Sequence, residues 1–151
     1  MIVWRITRER FQALEGEGAR LNGGRWNSEG VAVVYASSTL SLAALEYLVH
    51  IDAEDVPSDL VAMQIEVPDD IPGERILVSE LPHDWNSVPH HPACLRRGDA
   101  WVRESSTLFL GVPSAIVPEE KNVLLNPAHS AASRLIVRAM RSFVFAPRLL
   151  A

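Results

Sequence analysis

The sequence is poor in cysteine and contains no long apolar run among its 151 residues. Its single Cys94 cannot form an internal disulfide bond. No apolar stretch approaches the roughly 20 residues that span a bilayer, and the N-terminal segment MIVWRITRER lacks the apolar core of a signal peptide. We therefore expect a cytoplasmic protein that does not bind membranes.

Positive charge is also scarce, because 14 Lys and Arg face 19 Asp and Glu, for a net charge of −5. Nucleic acids and anionic membranes are held by clustered basic side chains, so we expect no direct nucleic-acid binding, although a local basic site stays open. Neither a phosphate loop ending in Lys-Ser/Thr nor a G-x-G-x-x-G after a strand is present. His90, His91 and Cys94 do not have zinc-ligand spacing, so no metal site is expected.

The chain has ample material for one folded domain, since 48% of its residues are hydrophobic. It has no internal repeat and no flexible linker, so we predict a single α+β domain over residues 1–151. Alternating apolar residues predict strands, and the Glu15 to Gly24 segment, with its four glycines, is expected to be a loop. The predicted strands are Val3 to Thr7, Val31 to Ala36 and Leu60 to Val67, with β-rich pieces at Thr107 to Val112 and Leu135 to Phe145, a Pro-rich irregular stretch from Pro68 to Pro92, and a short helix through Trp101.

A helix is predicted from the capping cluster Ser37-Ser38-Thr39 to about Ile51. At a period of 3.6 residues it carries two apolar stripes, and Glu46 and His50 lie four residues apart in the gap between them. A helix that is apolar on two sides is expected to be buried, and a buried carboxylate needs a partner or a function. Glu46 therefore either bonds His50 or a nearby loop, or serves a ligand. The stripes are Leu40, Ala43, Ala44, Tyr47, Leu48 and Ile51, and Leu42, Leu45 and Val49.

Three polar side chains stand close together in the sequence between Gly18 and Glu46. Arg25 follows two glycines, Tyr35 ends an apolar strand, and Glu46 is the only carboxylate of the helix. Such a set suits a dinucleotide: a guanidinium for a pyrophosphate, an aromatic face for a flat ring, and a carboxylate for a ribose or a developing cation. The alternative is that Arg25 is a surface turn residue and Trp26 belongs to the core.

An ordered series of short motifs resembles the RES-domain toxins of bacterial RES–Xre type II toxin–antitoxin systems. The resemblance covers nearly the whole chain, with one departure at Ala146, where members often carry Asp before Pro-Arg-Leu. The motifs are Trp4-Arg5-Ile6, Gly18-Ala19, Gly23-Gly24-Arg25-Trp26-Asn27, Val34-Tyr35-Ala36, Leu42-Ala43, Leu45-Glu46 with His50, Gly98-Asp99 with Trp101, Val112-Pro113-Ser114-Ala115, Glu120 with Asn122, Leu125-Asn126-Pro127 with His129, and Pro147-Arg148-Leu149.

The resemblance implies an ADP-ribosyltransferase-like fold with a split mixed β-sheet, and activity on NAD as substrate with no further cofactor. The Arg, Glu and Ser of the family name fall on Arg25, Glu46 and Ser114, with Tyr35 beside them as catalytic residues. Ser114 is expected to bond the nicotinamide amide or the ribose, or else to satisfy its own turn. The residues expected to bind NAD are Gly23, Gly24, Arg25, Trp26, Asn27, Tyr35, Ser114 and Asn126.

The expected function is that of a toxin that consumes NAD by cleaving the nicotinamide–ribose bond, by hydrolysis or phosphorolysis. One alternative is a protein mono-ADP-ribosyltransferase toxin. Another is a catalytically silent nucleotide- or antitoxin-binding module in which Arg25 and Glu46 pair with each other. The implied partner is an Xre-type helix-turn-helix antitoxin, and both a homodimer and a hetero-oligomer with the antitoxin stay open.

Overall fold

A computed structural model describes all residues from Met1 to Ala151. It contains seven strands, three α-helices and several single 3-10 turns. The strands are β1 (Ile2–Arg8), β2 (Val34–Ser37), β3 (Leu60–Glu66), β4 (Gly73–Arg75), β5 (Phe109–Pro113), β6 (Lys121–Leu125) and β7 (Ile136–Ser142), and the helices are α1 (Glu17–Asn22), α2 (Leu40–Leu48) and α3 (Pro92–Glu104).

The seven strands form one mixed sheet in the order β4-β5-β6-β2-β1-β3-β7, in which only the β4–β5 pair is parallel. Its two halves meet at β1 and β2, which share a single paired position, Trp4 with Ser37. By contrast, β1 pairs with β3 along its whole length, from Ile2 to Arg8. The strands therefore diverge at the centre of the sheet, and the expectation of a split, ADP-ribosyltransferase-like α+β domain is confirmed.

The core is divided in a way that follows this split. One cluster joins both halves of the sheet, because it contains Val3 and Ile65 from one half and Val34 and Leu125 from the other. Two further clusters are separate from each other: one packs α3 against β5 and β6, and the other packs α2 against β1 and β3. A gap between these two clusters is thus built into the architecture.

The alternation of side chains along the predicted strands is confirmed. Val33 and Tyr35 pack in the α3 cluster, whereas Val34 and Ala36 pack in the cluster that joins the sheet halves. Met63, Ile65 and Val67 likewise share one core, with Val61 packed against it. An alternating strand with apolar residues on both faces reflects a sheet that is covered on both sides.

Several predicted boundaries were wrong. The second strand begins at Val34 instead of Val31, and the glycine-rich loop contains the helix α1. The strand β6 was not predicted, and the Pro-rich stretch contains the short strand β4, which pairs with β5. These elements are short, and tertiary pairing decides them more than local pattern does.

The helix α2 begins as predicted, because Thr39 caps it by accepting a hydrogen bond from the Leu42 N–H at 3.1 Å. Its first apolar stripe packs against β1 and β3 as expected. The prediction of a second buried stripe was wrong for Leu45, which is 44% exposed, and for Val49, which is 59% exposed, whereas the third member, Leu42, is fully buried. Glu46 therefore lies at the edge of a surface-facing helix.

No helix in the structure is long and apolar enough to cross a membrane.

Candidate active site

A cavity of about 880 Å³ lies where the two halves of the sheet diverge. Four consecutive residues of β1, Trp4 to Thr7, line it, because the β1 edge facing β2 is unpaired beyond Trp4. The opposite walls come from the Gly23–Trp26 turn, from β2, from α2 and from the segment between Asn86 and His90. The volume of the cavity suits a nucleotide-sized ligand.

Arg25 lies on this cavity, at the tip of the glycine turn. Its Nη1 donates hydrogen bonds to the backbone carbonyls of Trp85 and Ser87, both at 3.0 Å, and its guanidinium lies 6.0 Å from the Trp85 ring centroid. One nitrogen therefore fixes the side chain, while Nε and Nη2 make no protein hydrogen bond. Arg25 is half-buried and held in place, so it is more than a surface turn residue.

Tyr35 fixes the turn that carries Arg25. Its hydroxyl donates to Asn27 Oδ1 at 2.7 Å and accepts from the Trp26 N–H at 3.1 Å. Burial raises the pKa of Tyr35 well above its ordinary value, so the phenol stays neutral. The side-chain amide of Asn27 also stabilises the turn, because it donates hydrogen bonds to the backbone carbonyls of Ala19 and Val31, each at 2.9 Å.

The N–H groups of Gly23 and Gly24 are bonded within the protein and are not free to approach a ligand. Gly23 N–H donates to Ala19 O at 2.8 Å, and Gly24 N–H donates to Asn27 O at 2.9 Å. Gly23 has a left-handed φ of 68°. A Cβ on Gly24 would stand 2.8 Å from the Tyr35 hydroxyl. A larger residue at this position would therefore push the hydroxyl away from Trp26 and Asn27.

The helix α3 packs against the turn that carries Arg25. A Cβ on Gly98 would meet Trp26 O at 1.7 Å, so only glycine allows this approach of helix and turn. The next residue, Asp99, accepts hydrogen bonds from Ser28 N–H at 2.9 Å and from Ser28 Oγ at 2.5 Å. The Gly98-Asp99 pair thus docks the Arg25 turn onto the helix.

Glu46 faces the cavity from α2 and is held from one side only. Its Oε1 accepts hydrogen bonds from Ser114 Oγ at 2.6 Å and from Asn122 Nδ2 at 2.7 Å. Its Oε2 makes no protein hydrogen bond. The alternative of a pairing with His50 is not what the structure shows, and no ion pair joins Glu46 to Arg25.

Ser114 contacts Glu46 and does not line the cavity. It is completely buried, and its Oγ also accepts hydrogen bonds from the N–H groups of Ile116 and Val117, both at 3.1 Å. This geometry gives no support to the expected bond from Ser114 to nicotinamide or ribose, which stays a prediction. Ser114 satisfies its own turn and, at the same time, positions the carboxylate of Glu46.

Two further residues expected to bind NAD are also structural. Asn27 and Asn126 are completely buried and do not line the cavity. Asn126 Nδ2 donates to Val102 O at 3.2 Å, and its Oδ1 accepts from Ala128 N–H at 3.0 Å, which fixes the turn after β6 to the end of α3. Trp26 does line the cavity, although it is 3% exposed and packs against Trp85.

Sequence reasoning did not assign several polar residues of the cavity to the site, among them Arg5 and His90. Arg5 is 9% exposed, and His90 carries a buried Nδ1 without a hydrogen-bond partner. Burial, then the charges of Arg25 and His50, lower the pKa of His90 below its ordinary value of 6.5. One signal in the sequence could have indicated Arg5, because it stands at a position of β1 where the alternating pattern predicts a buried apolar residue. No group of three or more His, Cys, Asp or Glu residues converges as metal ligands do.

The fold and the cavity define an α+β domain of the ADP-ribosyltransferase-like kind. A sequence model of the RES domain matches residues 2–146, so the chain belongs to the RES domain family.

Individual relatives agree with this assignment. The chain is 39% identical to the "Prs ADP-ribosylating toxin" of Sphingobium sp. (strain YBL2), over 97% of this chain and 95% of that protein. It is 38% identical to "Toxin Res" of Yersinia enterocolitica, over 99% of both chains. It also resembles a chain in the crystal structure of the M. tuberculosis MbcT–MbcA toxin–antitoxin complex, with a TM-score of 0.78 over 99% of this chain and 86% of that chain. The sequence identity of this pair is 20%, so the match shows the fold alone.

Proposed function

We propose that this protein is the toxin of a toxin–antitoxin pair and that it consumes NAD by cleaving the bond between nicotinamide and ribose. The observation that carries the proposal is the state of Glu46, a carboxylate on the cavity with one oxygen fixed by Ser114 and Asn122 and the other without a protein partner. The names of the relatives support the assignment as a toxin.

The chemistry of this cleavage suits such a carboxylate. Nicotinamide leaves NAD as a neutral base from a cationic ring, so no proton donor is needed, and positive charge develops on the ribose as in glycoside hydrolysis. A fixed carboxylate stabilises that charge best when it does not need to reorient during the reaction. The bonds from Ser114 and Asn122 provide this fixation, while Oε2 of Glu46 serves the ribose.

Arg25 is proposed to bind the pyrophosphate. Its Nη1 is held by two carbonyls, so the remaining edge of the guanidinium is oriented before a ligand arrives. An oriented guanidinium matches a phosphate with two parallel hydrogen bonds. Tyr35 lines the cavity, and because its hydroxyl is bonded to the turn, we expect it to contact the ligand through its ring.

Incubation of the purified protein with NAD, followed by mass spectrometry, tests the proposal. Free nicotinamide with ADP-ribose indicates hydrolysis, and nicotinamide with ADP-ribose 1-phosphate in phosphate buffer indicates phosphorolysis. Intact NAD after prolonged incubation with folded protein would contradict the proposal and favour a silent binding module. The structural basis for that alternative, a pairing of Arg25 with Glu46, is not found.

Protein mono-ADP-ribosylation is the second candidate. One observation favours it, namely the name of the Sphingobium relative at 39% identity. A protein acceptor needs a surface beside the cavity, and several exposed apolar side chains are located on cavity-lining elements. Nicotinamide release that depends on an added cell extract, with a labelled protein band, would decide for this activity. The exposed side chains are Val49, Val88 and Ile116.

We also propose an Xre-type antitoxin as the partner. A chain of this fold occurs in a toxin–antitoxin complex, which supports an antitoxin partner, and the Xre type is what the family resemblance implies. A partner segment over α1 would block the cavity, because Asn22 and Gly23 line it and Glu17 stands exposed in an ion pair with Arg20. We expect the complex not to cleave NAD, and Glu17→Lys, at an exposed position outside the cavity lining, to restore part of the activity. A complex as active as the free toxin would contradict occlusion.

A further inference from the structure

Ser37 lies at the point where the two halves of the sheet separate. It is the last residue of β2, and it stands opposite Asn122 of β6 on one side and opposite Trp4 of β1 on the other. The pairing with Trp4 is the only one between β1 and β2, so the split that forms the cavity begins beside Ser37. Both Ser37 and Asn122 line that cavity.

The side chain of Ser37 is not needed for the helix that follows it. The sequence places Ser37 in the capping cluster of α2, but it is Thr39 that accepts the capping hydrogen bond. Ser37 is 3% exposed, and a hydroxyl buried to this extent costs free energy unless it forms a hydrogen bond. Its Oγ donates to Oδ1 of Asn122 at 2.7 Å.

This bond is the first of two that lead from Ser37 to Glu46. The amide oxygen of Asn122 is held by Ser37, and the amide nitrogen Nδ2 donates to Oε1 of Glu46 at 2.7 Å. Hydrogen bonds in series polarise one another, so donation by Ser37 strengthens the bond from Asn122 to the carboxylate. The other donor to Oε1 is Ser114, whose Oγ already accepts from two backbone N–H groups, so that its one hydrogen is directed at Glu46.

One oxygen of Glu46 is therefore surrounded by donors of fixed direction. An ionised carboxylate only accepts hydrogen bonds, and both groups at Oε1 are turned so that they donate. Without the hydroxyl of Ser37, Oδ1 of Asn122 would lose its partner, and the amide would be free to rotate away from Glu46. The orientation of the carboxylate thus depends on Ser37, although Ser37 makes no bond to Glu46 itself.

We propose that Ser37 is a positioning residue of the site, which orients the amide of Asn122 and, through it, the carboxylate of Glu46. The inference rests on the proposed function for the reaction that Glu46 serves. The effect of Ser37 belongs to the chemical step, because an oriented carboxylate stabilises the charge that develops on the ribose, whereas the pyrophosphate is bound at Arg25.

Nicotinamide release from NAD tests this, with kcat and KM measured separately for each variant. We expect Ser37→Ala to lower kcat roughly twofold to tenfold, as for one neutral hydrogen bond, and to leave KM unchanged. Ser37→Thr keeps the hydroxyl and should restore kcat. The matched control is Ser38→Ala, because Ser38 bonds to Lys121 O through its backbone N–H and not through its hydroxyl, and it should behave like the wild type.

Asn122→Asp is a second variant that does not depend on the first. It keeps an oxygen to which Ser37 can donate, but it replaces the donor to Glu46 by an anionic acceptor. We expect kcat to fall roughly tenfold to a hundredfold, as for a lost hydrogen bond to a charged group.

The orientation of the amide can be measured without any reaction. The side-chain amide of Asn122 gives a signal in ¹⁵N NMR spectra, which its loss in Asn122→Asp identifies. In Ser37→Ala this signal should move toward the position of solvent-exposed Asn side chains, because the amide is no longer held. In Ser37→Thr and Ser38→Ala it should stay in place.

The outcomes are distinct. Wild-type kcat in folded Ser37→Ala, with the Asn122 signal unchanged, would overturn the inference but leave the proposed function standing. A lower melting temperature of Ser37→Ala with wild-type kcat would make Ser37 a structural residue only and would also overturn it. If the wild-type protein releases no nicotinamide from NAD, the proposed function fails, and the Asn122 signal still decides whether Ser37 orients the amide.

Discussion

Replacement of Glu46 by Gln tests the proposed mechanism with little disturbance of the fold. In the structure, Oε1 of Glu46 accepts from Ser114 and Asn122, and a Gln oxygen can accept the same two bonds. The Gln amide nitrogen would then take the place of Oε2 on the cavity side. The variant therefore keeps shape and anchoring, and it changes the cavity-facing group from an anionic acceptor to a neutral donor.

The magnitude follows from the loss of one preorganised electrostatic contact to the transition state. Such a loss costs roughly 2.7–4 kcal/mol, which corresponds to about a hundredfold to a thousandfold in kcat. The melting temperature should stay within a few degrees of the wild type, because both hydrogen bonds to Oε1 remain. Ser114→Ala should lower both kcat and stability. Glu46 loses one of its two anchors, and the part-buried N–H groups of Ile116 and Val117 lose their acceptor at a cost of roughly 1–3 kcal/mol in stability.

The assay is the release of nicotinamide from NAD, measured by chromatography with kcat and KM determined separately, alongside thermal denaturation of each variant. Glu119→Gln, at an exposed position, serves as the matched control and should behave like the wild type. A folded Glu46→Gln variant with wild-type kcat would remove Glu46 from the chemistry. It would reduce the hydrogen bonds of Ser114 and Asn122 to a structural role.

Three further predictions follow from the walls of the cavity. Arg25→Lys should weaken ADP-ribose binding by calorimetry nearly as much as Arg25→Ala, roughly tenfold or more, because Lys offers no paired donors; wild-type affinity would make Arg25 a general positive charge. Gly98→Ala should destabilise the fold by about 1–3 kcal/mol or more through its clash with Trp26 O, whereas Gly18→Ala, with ordinary contacts at 3.7 Å, should not; equal melting curves would contradict this packing. Because the pKa of His90 is lowered in the folded protein, the unfolded chain binds the proton more readily, and the free energy of unfolding should fall as the pH drops below about 6.5. His90→Asn should lose part of this pH dependence in denaturant titrations. An unchanged pH dependence in this variant would contradict the prediction.

Much of the fold could be predicted because local pattern and burial agree. The alternation in Val33 to Ala36 and in β3, the Thr39 cap and the first stripe of α2 all returned in the structure. The strands β4 and β6 could not be predicted, since each is defined by its pairing with β5. The burial of Leu45 and Val49 on the second stripe of α2 was predicted wrongly, because their exposure depends on which surfaces the other elements cover.

The sequence by itself determined the chemical types that the site could use: a guanidinium after two glycines, a carboxylate on an apolar helix and an ordered set of family motifs. Only the tertiary structure decided which of them face the ligand. Hydrogen bonds within the protein make Ser114, Asn27 and Asn126 supporting residues, because their polar atoms already have protein partners. The partners of Ser114 and Asn126 lie on distant elements, Glu46 on α2 and Val102 on α3. The split between β1 and β2 brought Arg5 to the cavity, since unpaired strand edges, which no local pattern encodes, create the opening.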